Sequence, residues 1–197
     1  MEKERVFGFQ KSDMSDVQDA SEFVIETHLP LVYDMSRECN RVIDQGSRGI
    51  CVSVSMNDVV GTACKRMNKE YKRANDYYYN RRNNKRVDGM TVKEAMEMAK
   101  SDGDISMYAK IQDLQTLKYS VFTNGACAIA LPVYNNDEKF WVGEGSVKIG
   151  HCLLVTGWSK DSLILKNSWG TSYGENGYTY FPLDDWNRIY ELWTVLK

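Results

Sequence analysis

The stretch Gly150-His151-Cys152-Leu153-Leu154-Val155-Thr156-Gly157-Trp158-Ser159-Lys160-Asp161-Ser162-Leu163-Ile164-Leu165-Lys166-Asn167-Ser168-Trp169-Gly170 decides the reading of the fold. Two runs, His151 to Trp158 and Ser162 to Trp169, flank the polar triplet Ser159-Lys160-Asp161, the pattern of a β-hairpin. With the turn centred on Lys160, His151 lies opposite Trp169, and Asn167 shares its face as a diagonal neighbour. Local geometry therefore brings an imidazole and a side-chain amide together. An amide oxygen that accepts from one ring nitrogen holds the ring in place and leaves the other nitrogen to face a nucleophile. Trp169 on that face would help exclude water. The only other histidine, His28, lies in the acidic first segment.

The partner such a base needs is found upstream. From Cys51 onward, apolar residues at 52, 56, 59, 60, 63 and 67 keep the one-face spacing of a helix, with Cys51 at its N-terminal end. A thiol is a nucleophile only as thiolate, and a helix N-terminus beside an imidazolium lowers its pKa. Cys39, Cys64 and Cys127 read as small buried hydrophobes. Cys152 adjoins the base but points to the opposite face of its strand.

A second helix follows Thr91, which with Glu94 makes a capping box ahead of Val92, Ala95, Met96 and Ala99. After about residue 115 short apolar runs separated by Gly, Asn, Ser and Asp take over, so the chain is helical first and stranded later, an α+β architecture. Residues 1–29 are acidic and weakly periodic and read as an extension rather than a core element; Pro30 ends them. The expected division is a domain over 30–197, with a helical lobe over about 45–115 and a β lobe over about 116–197 plus the N-terminal strand.

The 197 residues are 43% hydrophobic and 26% charged, enough for a real core, with a formal net charge of -2 that gathers neither nucleic acid nor anionic membrane. Charge is uneven: residues 65–86 sum to +7 and residues 1–29 to -4. These read as solvated surfaces, or as a site for an acidic partner or for the tail folded back on the basic stretch. Five cysteines without a CxxC pair favour a reducing intracellular compartment. No run approaches the roughly 20 apolar residues that span a bilayer. No metal or cofactor motif occurs, since HExxH, paired-cysteine zinc, phosphate-loop and dinucleotide patterns are all absent from the sequence.

The segment Asp44-Gln45-Gly46-Ser47-Arg48-Gly49-Ile50-Cys51 resembles the nucleophile motif of papain-like cysteine peptidases. Gly150-His151, Val155-Thr156-Gly157-Trp158, Lys166-Asn167-Ser168-Trp169-Gly170 and Gly174-Glu175-Asn176-Gly177-Tyr178 resemble that family's His and Asn motifs, in the family's order. The resemblance spans roughly residues 30 to 197. Weaker marks at Leu29-Pro30 to Asp34, Tyr77 to Arg82 and Asp88-Gly89 are similar to prokaryotic and viral relatives.

That resemblance implies a two-lobe papain-like fold, with the Cys helix in a helical left lobe and the His and Asn on an antiparallel sheet or barrel in the right lobe. It implies Cys51 as nucleophile, His151 as base, Asn167 as orienter and the Gln45 side chain with the Cys51 N–H as oxyanion hole. The groove walls are expected at Gly89 and Met90 on one side and at Ala128, Ile129, Ile149, Gly150 and Cys152 on the other, with Trp169 beside the base. This suggests a modest apolar subsite. A polypeptide substrate and no cofactor follow, and the viral-like marks raise association with a virion.

The sequence departs from the pattern at Arg48, where secreted members carry a disulfide cysteine, and at Val52, which replaces an aromatic residue. Cys51 and His151 are 100 residues apart, against roughly 130 or more in the papain and cathepsin signature. The loops between the lobes are therefore expected to be short. The acidic leader is a candidate to lie across the cleft. Two alternatives stay open: a papain-like fold kept as a binding or particle component, and an isopeptidase acting on ubiquitin-like conjugates.

Overall fold

The protein is described by a computed structural model over residues 7–145, 147 and 149–196. Helix α1 (Cys51–Arg66) is the pillar of the molecule. The sequence suggests one apolar face, yet 14 of its 16 residues, Cys51 through Cys64, are buried. The polar ones are accommodated by bonds to several segments. Ser53 Oγ accepts from Tyr78 N at 3.1 Å, Ser55 Oγ donates to Cys152 O at 3.2 Å, and Asn57 Nδ2 donates to Ala74 O at 2.7 Å. Thr62 Oγ1 donates to Asp58 O at 2.7 Å and accepts from Ala126 N at 3.0 Å. Both halves of the chain thus wrap the helix, and each buried polar side chain of the helix has a partner, as burial requires.

The other helices are α2 (Tyr77–Arg81), α3 (Val92–Ser101) and α4 (Leu114–Thr123). Helix α4 did not stand out in the sequence; Asp113 caps it by accepting from Thr116 N at 2.8 Å. The strands are β1 (Phe9–Gln10), β2 (Tyr33–Asp34), β3 (Met90–Thr91), β4 (Met107–Lys110), β5 (Cys127–Val133), β6 (Ile149–Trp158), β7 (Ser162–Lys166), β8 (Tyr178–Pro182) and β9 (Glu191–Leu196). Among the described residues they form one nine-stranded sheet in the order β3-β1-β6-β5-β9-β4, with β7 and β2 also on β6 and β8 on β7. Helices and a mixed sheet together give the α+β fold that the sequence implies.

Strand β6 is the hub. Leu154 pairs with Ala128 of β5 and Lys166 of β7, while Gly150 pairs with Pro132 of β5 and Phe9 of β1. A strand has two edges, so β1 occupies the edge of β6 that β7 leaves uncovered. In the hairpin, Leu154 and Val155 pair with Lys166 and Leu165, as a Lys160-centred turn requires. Nearer the turn the register shifts by one, with a bulge between Val155 and Gly157, and Ser159 N donates to Ser162 O at 2.8 Å. The turn is therefore the two-residue Lys160-Asp161, and the bulge restores the longer register on the side of His151.

The leader segment packs against the body: Phe9, Val17 and Ala20 are buried in the main core. Among the described residues, no ion pair joins the tail to the basic stretch. Asp16 of the tail pairs with Lys93, while Arg66, Arg73 and Arg81 of that stretch pair with Glu38, Asp104 and Asp102. A buried pair, Lys166 with Asp58, joins β7 to α1, and Asp58 also accepts from Asn40 N at 2.6 Å. Lys166→Met leaves Asp58 buried without its cation and is expected to lower the unfolding free energy by about 3 kcal/mol or more in urea titrations. The double change Lys166→Met/Asp58→Leu is expected to recover part of that loss; a single-variant loss under about 1 kcal/mol would contradict this role for the pair.

Candidate active site

The imidazole of His151 is fully buried, and its Nε2 lies 2.8 Å from Asn167 Oδ1. Trp169 stacks on the ring at 4.6 Å between centroids and 18° between planes; Phe140 and Phe7 meet it edge-on at 5.7 and 6.1 Å. Asn167 is held from behind, where its N–H donates to Gly177 O at 2.9 Å. That contact explains the run Gly174 to Tyr178: Gly174, Asn176 and Gly177 all take positive φ, and a Cβ on Gly177 would strike Val42.

Cys51 is the first residue of α1, and the residue before it, Ile50, supplies no side-chain cap. The first-turn N–H groups are thus untaken by a capping side chain and point toward negative charge. Burial pushes the Cys51 thiol above its ordinary pKa; the backbone N–H groups of Cys152, Gly8, Val52 and Cys51 itself pull it the other way. The contact with Cys152 places the thiol beside the residue that follows His151.

Gln45 is delivered by a second staple between distant segments. Its N–H donates to Ser168 O at 2.9 Å, Asp44 bridges Trp169, and Gly170 N donates to Ile43 O at 2.9 Å. Its side-chain amide donates to Arg48 O at 2.9 Å and accepts from Ser168 Oγ at 2.6 Å. Ser168 thus fixes the amide of Gln45. The sequence contained Ser168 within Asn167-Ser168-Trp169 without revealing that role.

The residues foreseen as groove walls divide into two groups. Met90, Gly150 and Trp169 border the centre: Met90 N donates to Gly8 O at 2.8 Å, Gly150 pairs with Phe9, and Trp169 covers His151. A Cβ on Gly89 would run into the Gly8 backbone, and Cys152 meets the Cys51 thiol through its N–H, while Ile149 is exposed. Ala128 and Ile129 are fully buried opposite Leu154 and Leu153. The residue of β5 across from Cys152 is Ala130.

The centre is covered by the chain itself. Residues 7–10 form a strap in the cleft, parallel to β3 and antiparallel to β6, with Phe7 against His151 and Trp169 and Phe9 against Tyr190. Backbone pairing and the rings of Phe7 and Phe9 hold residues 7–10 there, with no acidic side chain of the leader among them. Gly8 is the only residue type that fits its position, because a Cβ there would overlap the Gly49 carbonyl. Phe7 and Gly8 carried no signal in the sequence. Among the described residues there is no group of three or more His, Cys, Asp or Glu placed to hold a metal ion, and no helix is long and apolar enough to cross a membrane.

Comparison with known proteins gives the same outline. The profile of the papain family cysteine proteases matches residues 35–188, and the chain belongs to that family. It is 33% identical over 67 residues to papain of Carica papaya and 28% identical over 83 residues to a gut-specific cysteine proteinase of Caenorhabditis elegans. These matches cover 32% and 38% of the chain, and 19% and 25% of the relatives, so the chain spans a quarter or less of the curated relatives it matches. Among solved structures it is similar in fold to xylellain, a cysteine protease from Xylella fastidiosa, at a TM-score of 0.76 and 15% identity over 98% of this chain and 96% of that one. Procathepsin B S9 from Trypanosoma congolense follows at 0.73 and 13%, over 98% and 87%.

Gly8→Val is expected to expel the strap, since the added carbons meet backbone that cannot move aside. Alkylation of Cys51 by an epoxide thiol trap, mapped by peptide analysis, is then expected to become faster. In the unaltered chain, labelling is expected to rise only as pH passes above the ordinary thiol range, because burial raises the thiol pKa. In Gly8→Val the rise is expected at lower pH; coincident profiles would rule out shielding by the strap.

Proposed function

We propose that the chain is a thiol-dependent endopeptidase that hydrolyses peptide bonds through Cys51, His151 and Asn167, with Gln45 at the oxyanion hole. The observation that carries this reading is the 2.8 Å contact of His151 Nε2 with Asn167 Oδ1 beside a helix-terminal cysteine. With Nε2 engaged, Nδ1 is the nitrogen through which the ring serves the thiol. The Cys51 thiolate attacks the peptide carbonyl, and the resulting oxyanion receives the Gln45 amide and the Cys51 N–H. The C–N bond breaks as His151 gives its proton to the leaving amine, which departs and leaves a thioester. Water then attacks the thioester, His151 takes its proton, and the acid product leaves as the thiolate is restored.

The strap is not a substrate in this scheme. The proton donor must face the leaving amine, so the part of a substrate C-terminal to the cut lies toward His151 and Trp169. Its N-terminal part lies toward Met90 and Gly150. The strap runs the other way, with Phe7 at His151 and Phe9 at Met90. It fills the strand position of a bound peptide while presenting a reversed backbone, which supports a role as a shield.

Five free thiols support the reading of a reducing compartment. Association with a virion has no structural support. The test is hydrolysis of fluorogenic peptides by the full chain carrying Gly8→Val. Adding Cys51→Ala is expected to abolish turnover, and adding Gln45→Ala to lower kcat by about 100-fold or more with KM little changed. Cleavage confined to ubiquitin-like conjugates would instead favour the isopeptidase reading. Binding of peptides without any cleavage would favour the binding reading.

A further inference from the structure

The exposed apolar side chains of the protein are unevenly spread. Of the eight large ones among the described residues, three fall in the short segment 25–32: Ile25, Leu31 and Val32, which are 77%, 92% and 62% exposed. An isolated surface leucine needs no explanation, but a cluster of them marks a surface that another molecule covers. Leu31 and Val32 are also held in place. Just before them Pro30 O accepts from Trp158 Nε1 at 3.2 Å, and just after them Tyr33 of β2 pairs with Trp158 of β6 and packs on its ring at 5.1 Å between centroids. Trp158 is buried, so the fold fixes both residues with their side chains outward.

Leu29, Leu31 and Val32 border a hollow of about 650 Å³, completed by Lys118 of α4 and Lys160 of the turn between β6 and β7. That volume falls within the range of about 300–1,000 Å³ usual for ligand-binding clefts. The titratable side chains lining it are His28, Lys118 and Lys160, with no Asp or Glu among them. Among the described residues neither lysine enters an ion pair, and Lys118 Nζ lies over the Trp158 ring, 5.6 Å from its centre. The hollow sits at the far end of β6 from His151, seven residues along the strand and so roughly 20 Å away at about 3.3 Å per residue. It is separate from the cleft and from the strap.

We infer that this hollow docks a segment of a partner polypeptide in which apolar side chains stand beside aspartate or glutamate. The inference goes beyond the peptidase reading and does not depend on it. Leu31 and Val32 leave water against the partner's apolar side chains, which supplies affinity. Lys118 and Lys160 supply selectivity: a carboxylate beside them makes charge-assisted hydrogen bonds, whereas a basic segment meets two like charges. The concave shape suits a polypeptide segment better than a bilayer, whose surface cannot enter a hollow.

The experiment selects random linear peptides on the immobilised full chain and measures the affinity of those recovered by fluorescence anisotropy. The recovered peptides are expected to carry Asp or Glu beside Leu, Ile, Phe or Met, and to bind more weakly as salt rises. Leu31→Ser is expected to weaken binding about tenfold, the worth of one leucine removed from a contact. Lys160→Glu, alone or with Lys118→Glu, is expected to weaken acidic peptides by a similar factor and to admit basic ones. Leu31 and Lys160 are exposed, so thermal unfolding of these single variants is expected to match that of the unaltered chain. Recovery of no peptide, or only of basic or uncharged ones, overturns the inference. So does recovery of acidic peptides that bind the Leu31→Ser and Lys160→Glu variants undiminished. Self-association in sedimentation velocity that Leu31→Ser abolishes overturns it in favour of a second copy of the chain. Co-pelleting with anionic phospholipid vesicles that Leu31→Ser abolishes overturns it in favour of a lipid surface.

Discussion

Burial of helix α1 against strand β6 is the constraint on which the rest of the molecule depends. A helix buried from Cys51 to Cys64 cannot shed its polar side chains into water, so each is spent on a different part of the chain. Ser55 reaches β6, Asn57 reaches the segment after the helix, Thr62 receives the N–H that leads into β5, and Asp58 takes Lys166 of β7. These bonds set the height of the helix against the sheet. Its first residue then falls beside Cys152, whose N–H meets the Cys51 thiol. Lys166 directly precedes Asn167, so the same ion pair that anchors the helix also fixes the strand end from which the Asn167 amide meets His151.

The second consequence lies at the edge of β6. Strand β7 ends at Lys166, and beyond it the edge near Gly150 is open to pairing. The strap takes that edge and β3 at once, joining the two halves of the chain through a single short strand. Gly8, Gly89 and Gly150 permit the approach, because a side chain at any of them would collide with backbone or with Phe9. Burial raises the pKa of the Cys51 thiol, while the N–H of Gly8 in the strap is among the groups that pull it back. Glu191 holds the end of the strap in this closed state, accepting from both the N–H and the hydroxyl of Ser12.

Much of this was legible because local patterns and global fold agree. The helix begins at Cys51 as its periodicity indicated, and Thr91 caps α3 by accepting from Glu94 N at 3.0 Å. The hairpin brought His151 and Asn167 together, although a bulge at Thr156 and a two-residue turn achieve the register that a three-residue turn was expected to give. What stayed hidden depends on long-range placement. Glu94 gives its carboxylate to Asn83 N instead of closing the capping box. Phe7 and Phe9 lie in a weakly periodic acidic segment whose strand and ring partners are about 80 to 180 residues away, and nothing local marks Ser168 or Glu191 as neighbours of Gln45 and Ser12.

The central claim is that Cys51 becomes a thiolate through His151 once the strap is out of the cleft. Its most direct test is a pH titration of thiolate ultraviolet absorbance in the strap-released full chain, with Cys51→Ala and His151→Ala as references. The account predicts one thiol titrating well below the ordinary range of about 8.5, absent in Cys51→Ala and shifted upward in His151→Ala. A chain in which every thiol titrates at or above that range, with or without His151, would contradict it.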